Sequence, residues 1–269
     1  MPHYSYLLFD ADNTLFDFDA ANRNAFHTVC RQCDIPDTDE TFALYERCNN
    51  AMWAAFDRGE CTKDFLVVER FRRFLEAMAL DRDPALCNRI HLKALGESTL
   101  LLPHAEEVCR TLSRTHRLYI VTNAVASVQR SRLHRSAVAP YITDAFISEE
   151  AGASKPSRTY FDYVFARIPG ITRENCLLIG DSPSSDIRGA NNAGIPCCWY
   201  DPHGTALPEN LHIDYRITDP APALRYRLTL MQKARKHRLR AFSYNWKSSC
   251  RSSSVSSFAG RGGTRFRGS

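Results

Sequence analysis

The sequence predicts a doubly wound α/β domain with an all-helical insertion after its first strand. Three observations carry this. Five short runs are apolar throughout rather than alternating, as expected of strands buried on both faces of a parallel sheet. Segments with helical periodicity lie between those runs, giving an α/β alternation. The stretch from about Asp17 to Glu97 breaks that alternation and contains no convincing strand.

The elements follow in order. Tyr4–Phe9 is the first apolar run and ends at Asp10. In the following stretch Leu44, Cys48, Met52 and Ala55 recur at helical spacing, as do Phe65, Val68, Phe71, Leu75 and Met78. Arg70, Arg72 and Arg73 fall mostly off that second stripe. Gly59 and Pro84 punctuate the pattern, so about four helices are expected. The strands then resume at Leu118–Val121, Ala145–Ile147, Leu177–Ile179 and Ile195–Tyr200. Helices are expected over His104–Thr115, Val125–Val138, Ser157–Ile168 and Ser184–Ala193, the last closed by Gly194 as a C-cap. The resulting division is a core of residues 1–16 and 98–224, a helical insertion over 17–97, and a tail over 225–269.

Composition narrows the function classes. The chain has 269 residues, of which 44% are hydrophobic, an ordinary share for a soluble globular protein. No stretch approaches the roughly 20 apolar residues that span a bilayer. Asp10 and Asp12 interrupt the first apolar run, which argues against a signal peptide. The ten cysteines sit mostly in helix-like patterns, and Cys30-Arg-Gln-Cys33 has no second pair at zinc-site distance. They read as thiols without a role, and a reducing, cytoplasmic compartment is expected. Charge is divided along the chain. Twelve of the 35 Lys and Arg lie from Arg225 onward, where no Asp or Glu occurs. The first 224 residues therefore carry 23 basic against 30 acidic side chains. The tail is rich in Ser, Gly and Arg beyond Lys247 and is expected to be disordered.

Four elements carry the chemistry, each at or just beyond an expected strand end, where open α/β sheets bind ligands. They are Asp10-Ala-Asp12-Asn-Thr14, Thr122-Asn123, Ser154-Lys155-Pro156, and Gly180-Asp181-Ser182 with Asp186 in the next helix. Phosphoryl transfer needs a nucleophile, a proton carrier, a cation and donors around the phosphate oxygens. Asp10 and Asp181, from separate strand ends, could share one hard cation such as Mg²⁺. Thr122 offers a hydroxyl and Lys155 an ammonium, while Gly180 permits a tight turn. Each short motif alone also fits an ordinary cap or turn. The specific signal is the ordered set.

That set resembles the haloacid dehalogenase-like (HAD) superfamily, over about residues 4–220. The resemblance implies a Rossmann-like core, and the insertion looks like the family's C1 cap. It implies Asp10 as covalent nucleophile and Asp12 as general acid and base. Thr122, Asn123 and Lys155 would hold the phosphate, and Asp10, the Asp12 carbonyl and Asp181 would bind Mg²⁺. Asp186 would orient Lys155 or a water on the cation. Val128–Leu133, Phe146–Glu150, Ser185–Gly194 and Cys198–Tyr200 further resemble the YjjG-type pyrimidine 5′-nucleotidases. The substrate expected is thus a small phosphomonoester, a pyrimidine nucleoside monophosphate, with a phosphoglycolate or sugar-phosphate phosphatase or a sugar-phosphate mutase as the alternative within the superfamily. Asp12 disfavours a dehalogenase, since those enzymes lack the second carboxylate. Trp53, Phe56, Arg58 and Arg70 are the cap residues that could meet a leaving group, although helical spacing favours cap core for the aromatics. A reading from another class is nucleic-acid binding through the basic tail, where Tyr226, Phe242, Tyr244 and Trp246 are interleaved with Lys and Arg.

Overall fold

The computed structural model describes residues 4–206 and 209–218. Six strands form one parallel sheet: β1 (Tyr6–Phe9), β2 (Arg117–Thr122), β3 (Ile142–Ile147), β4 (Cys176–Gly180), β5 (Cys197–Tyr200) and β6 (Tyr215–Ile217). Their order is β3-β2-β1-β4-β5-β6, and every pairing is parallel. The chain runs outward from β1 to β3, returns to β4 on the other side of β1, and continues to β6. The switch point therefore falls between β1 and β4, where the crevice for a ligand opens in such sheets.

The apolar runs are explained by burial on both faces. Leu7, Phe9, Leu118, Ile120, Leu177 and Ile179 join one core cluster. Their neighbours Tyr6, Leu8, Tyr119, Val121, Cys176 and Leu178 join the other. Side chains alternate across a strand, so two covered faces demand an unbroken apolar sequence. Helices α5 (Ala105–Leu112), α6 (Ala126–Arg135), α7 (Ser148–Ala151), α8 (Arg158–Arg167) and α9 (Arg188–Ala193) complete this part of the chain. The helix expected from Ser184 starts instead as a π-helical turn, Pro183–Ile187, and becomes α9 only at Arg188. Gly194 closes α9 with φ 69°. Neither α7 nor β6 was expected, since four residues are too short for a visible period and Tyr215-Arg-Ile has no apolar run.

Between β1 and α5 lie four helices: α1 (Phe18–Cys33), α2 (Asp39–Asp57), α3 (Lys63–Ala77) and α4 (Pro84–Glu97). Each has a side-chain N-cap, with Asp17, Thr38, Thr62 and Asp83 accepting from the backbone N–H of Ala20, Thr41, Phe65 and Ala85. Their shared core is aromatic. The Phe26 ring stacks on Tyr45 at 4.6 Å between centroids and meets Phe74 edge-on at 5.4 Å. Of the expected stripes, Met52, Phe71 and Leu75 are buried and Leu44, Cys48 and Met78 pack against the core, but the buried faces extend beyond them. Phe65 is 52% exposed, while Leu66, Val67, Arg70, Phe71 and Phe74 point inward. On α2 the buried positions are Thr41, Phe42, Tyr45, Asn49 and Met52. Thr41, Asn49 and Arg70 are the inward positions that an apolar stripe does not reveal.

Among the described residues no helix is long and apolar enough to cross a membrane. Cys30 and Cys33 are buried free thiols, and burial pushes Cys30 up to about 12. The end of the expected core (219–224) and the basic tail (225–269) lie outside the described residues.

Candidate active site

The site forms where β1, β2 and β4 end side by side. Phe9 pairs with Ile120 and with Ile179, so Asp10 emerges between its two neighbours. Its backbone N–H still donates to Ile179 O at 2.8 Å, which fixes the start of the loop to the sheet. Asn13 adopts a left-handed conformation, φ 56°, and its side-chain oxygen accepts from the N–H of Phe18 and Asp19 at the head of α1. Residues 10–16 thus turn tightly while remaining anchored at both ends.

Lys155 lies at the centre. Its Nζ donates to Val121 O at 2.8 Å, Asp10 Oδ1 at 2.5 Å and Asp186 Oδ1 at 2.6 Å. Those three bonds match the three donors of an ammonium. The Asn123 side chain fixes the Lys155 backbone from both sides, accepting from its N–H and donating to its carbonyl, each at 2.9 Å. Thr122 is the last residue of β2, and its Oγ1 accepts from Ala124 N–H at 3.1 Å. Asp181 follows β4, with Oδ1 accepting from Thr14 Oγ1 at 3.1 Å. Its carbonyl accepts from Trp199 Nε1 at 2.8 Å. Asp186 Oδ2 accepts from Ser182 N–H at 3.0 Å. Gly180 is needed here for close approach rather than for a turn, because a Cβ at that position would lie 2.4 Å from Asp186 Cγ.

Asp10, Lys155, Asp181 and Asp186 are therefore gathered at one point, with Thr122 and Asn123 on the rim. Asp12 stands a step away, its Oδ1 accepting from Arg132 Nη1 at 2.5 Å. Three residues of this site escaped sequence reasoning. Thr14 falls within the first motif but received no role. Arg132 sits in the quoted 128–133 stretch, and Trp199 in the 198–200 stretch, yet neither spacing revealed its partner.

The electrostatics favour a cation. Carboxylate oxygens of Asp10, Asp181 and Asp186 lie within 4.8 Å of one another. Burial raises Asp10 well above the usual carboxylate range, with Asp186, Asp181 and Asp12 adding to it and Lys155 opposing. Burial, then the charge of Asp186, pushes Asp181 up to about 7. Burial alone would depress Lys155, but Asp10 and Asp186 outweigh it and hold the ammonium charged. One ammonium thus lies among three carboxylates, Asp10 and Asp186 buried and Asp181 partly so. Hard oxygen donors with excess negative charge fit a divalent cation such as Mg²⁺.

These groups open into a cavity of about 380 Å³ whose far wall is Asn49, Trp53, Val67 and Arg70 from the four-helix insertion. Arg70 is 2% exposed and donates to Val67 O, Asn49 Oδ1 and Asn88 Oδ1, with His91 Nδ1 at 3.3 Å. Neither Phe56 nor Arg58 lines this space. Phe56 packs edge-on to Trp53, and Arg58 is an exposed partner of Glu60. Two polar ties cross from the insertion to the strand ends. Lys63 Nζ donates to Ala124 O at 3.0 Å and Ser148 Oγ at 2.7 Å, and Ser184 Oγ donates to Asp57 Oδ2 at 3.0 Å.

Comparison with known proteins agrees with this geometry. Residues 4–194 match the family model described as a haloacid dehalogenase-like hydrolase. The HAD-hydrolase YfnB of Bacillus subtilis is 39% identical over 202 residues, 75% of this chain and 86% of that protein. Its crystal structure, bound to magnesium, superimposes with a TM-score of 0.78 at 36% identity, covering 81% of this chain and 96% of that one. The pyrimidine 5′-nucleotidase PynA of Streptococcus pneumoniae is 33% identical, over 74% of this chain and 85% of its own length. The pyrimidine 5′-nucleotidase YjjG of Escherichia coli is 30% identical, over 77% and 91%. With a family match over residues 4–194 and a relative 39% identical over 75% of its length, the chain belongs to the haloacid dehalogenase-like hydrolases.

Proposed function

We propose that the chain is a Mg²⁺-dependent phosphatase that releases phosphate from pyrimidine nucleoside 5′-monophosphates by way of Asp10. The observation that carries this reading is the meeting of Asp10 with Lys155 and two further carboxylates at the floor of a cavity roofed by Trp53 and Arg70. The names of the relatives PynA and YjjG support the substrate class.

The chemistry divides into two halves. Asp10 attacks phosphorus; its O–P bond forms as the ester P–O bond breaks, and the electron pair leaves on the ester oxygen. Asp12 gives that oxygen its proton, so a neutral alcohol departs. Water then attacks the aspartyl-phosphate and gives its proton to Asp12, while the Asp10 O–P bond breaks. The products are inorganic phosphate, the free nucleoside and the original enzyme. Thr122 donates its hydroxyl to a phosphoryl oxygen, while Lys155 neutralises phosphoryl charge and bonds an oxygen only by releasing one of its three present partners. The Asn123 side chain is engaged with the backbone of Lys155, so its contribution to phosphate binding falls to the main-chain N–H. Asp10, Asp181 and the Asp12 carbonyl would hold Mg²⁺, which would supply positive charge to the phosphoryl transfer. Asp186 keeps Lys155 aimed.

Residues 17–97 act in this reading as a cap that shuts water out during transfer, with the Lys63 and Asp57 ties marking its closed position. The test is Mg²⁺-dependent phosphate release across deoxyuridine, thymidine, uridine and purine monophosphates, phosphoglycolate and hexose phosphates. Preference for the pyrimidine nucleotides is expected. Preference for phosphoglycolate or a sugar phosphate would keep the mechanism and overturn the substrate. No release from any of them, with folded protein and excess Mg²⁺, would overturn the phosphatase reading itself.

A further inference from the structure

Arg132 is a buried cation to which the chemistry above gives no part. It lies on α6, fully shielded from solvent, and lines the cavity beside Asp12. Its Nη1 donates to Asp12 Oδ1 at 2.5 Å and to Gln129 Oε1 at 3.4 Å. Its guanidinium lies over the Phe16 ring, 4.5 Å from the centroid. Phe16 is itself pinned by backbone bridges to Asp12 on one side and to Leu101 on the other. The ring, the guanidinium and the loop carrying Asp12 therefore form one packed unit.

The remaining donors of this group are informative. Nε and Nη2 of Arg132, and Nε2 of Gln129, find no acceptor among the described residues. A buried guanidinium has five N–H donors, and one kept for the fold is expected to have most of them bonded. Arg70, equally buried, meets that expectation with four partners on three helical segments. Arg132 instead keeps one ionic partner among the described residues, Asp12. Its charge is directed at a single carboxylate oxygen in the cavity wall.

We propose that Arg132 is a positioning residue for Asp12. It fixes Oδ1 so that Oδ2 is the oxygen that gives a proton to the leaving alkoxide and takes one from water, and Gln129 steadies the guanidinium. This rests on the reading of Asp12 as the acid–base group. A carboxylate free to rotate would present either oxygen in many directions, whereas a displacement of about 1 Å at a reacting group can cost about 100-fold in rate. A lysine would not substitute, because a flexible point charge does not fix the plane of its partner.

The experiment compares two leaving groups in the full chain with Mg²⁺. One is the alkyl monophosphate that the wild-type protein turns over fastest, whose alkoxide needs a proton. The other is p-nitrophenyl phosphate, whose leaving group departs as an anion. Arg132→Met is expected to lower kcat/KM, which reports the steps up to departure of the leaving group, by about 100-fold for the alkyl substrate. For p-nitrophenyl phosphate the loss in kcat/KM should be less than about 10-fold, since hydrolysis of the shared aspartyl-phosphate affects kcat for both substrates but not this ratio. Arg132→Lys should behave like Arg132→Met. If Arg132→Met does not fold, Gln129→Leu, which removes one partner of Arg132, should show the same selectivity at smaller size. Equal losses on both substrates, or losses confined to KM, would overturn the proposal. Asp12→Asn separates the two ideas. If it too lowers both substrates equally, the acid–base reading of Asp12 fails; if it is selective and the Arg132 variants are not, only the positioning role fails.

Discussion

Lys155 Nζ and Asp186 Oδ1 are bonded at 2.6 Å where neither side chain is more than 1% exposed. Breaking a buried ion pair from one side leaves an uncompensated charge and costs about 3–5 kcal/mol. Lys155 retains Asp10, so the lower end of that range applies to Asp186→Ala in the presence of Mg²⁺. Gly180→Ala should reproduce much of the same loss, because its Cβ would enter the space of the Asp186 carboxyl. Urea unfolding with phosphate release on the same samples checks both. Wild-type unfolding midpoints with wild-type turnover in either variant would show that the pair has no such role.

Asp10→Asn should leave the fold intact and lower kcat by about 10⁵-fold or more, the scale seen when a covalent nucleophile is removed. The amide preserves the shape of the side chain and can still accept from Lys155 Nζ, so the packing at the end of β1 survives. Circular dichroism and a phosphate-release assay suffice. Substantial residual turnover would overturn the nucleophile assignment.

The sheet was legible in the sequence because two covered faces demand uninterrupted apolar runs, as in Tyr6–Phe9 and Cys176–Gly180. The strand-end motifs were legible because their order and spacing are local properties of the chain. Pairings across long separations were not. Arg132 meets Asp12 across 120 positions, and Trp199 meets the Asp181 carbonyl across 18. The apolar stripes of α2 and α3 locate much of the cap core, but the inward Asn49 and Arg70 are not legible because they are polar. Their bonds to one another and to Asn88 offset burial that a hydrophobic stripe does not anticipate. The need for glycine at position 180 is not legible, because a close approach to Asp186, six residues on, leaves no mark in composition.

The carboxylate cluster should make Mg²⁺ binding pH-dependent. Burial and Asp186 push Asp181 up to about 7, and Asp10 is raised by burial and its acidic neighbours. Below about pH 7 a cation must displace a proton from Asp181, so affinity should rise as pH increases through about 7. The linkage to stability has a definite sign. A carboxyl whose folded pKa exceeds its unfolded value costs nothing when protonated in both states, and costs stability as pH climbs from about 4 through about 7. This cluster should therefore destabilise the metal-free protein at pH 8 relative to pH 5.5, and Mg²⁺ should reverse the loss at pH 8. Calorimetry in two buffers of different ionisation enthalpy counts the protons released. A Mg²⁺ affinity unchanged between about pH 5.5 and pH 8 would sink the prediction.

Trp53 and Arg70 line the same wall but should fail differently when replaced. Arg70 bonds α3 to Asn49 of α2 and to Asn88 of α4, and its loss leaves several buried acceptors unmatched. Arg70→Met should therefore loosen the whole helical insertion and lower the unfolding midpoint. Trp53 is half-buried and carries no such network; its ring meets Phe56 edge-on at 5.7 Å, packs against Met52, Leu66 and Val67, and lines the cavity. Stacking of a base on an aromatic side chain contributes about 1–3 kcal/mol. Trp53→Ala should then raise KM for pyrimidine monophosphates by about 10- to 100-fold, with a much smaller effect on phosphoglycolate, which has no ring to stack. A KM increase of the same size for both substrates would mean that the indole shapes the cap rather than meeting the base.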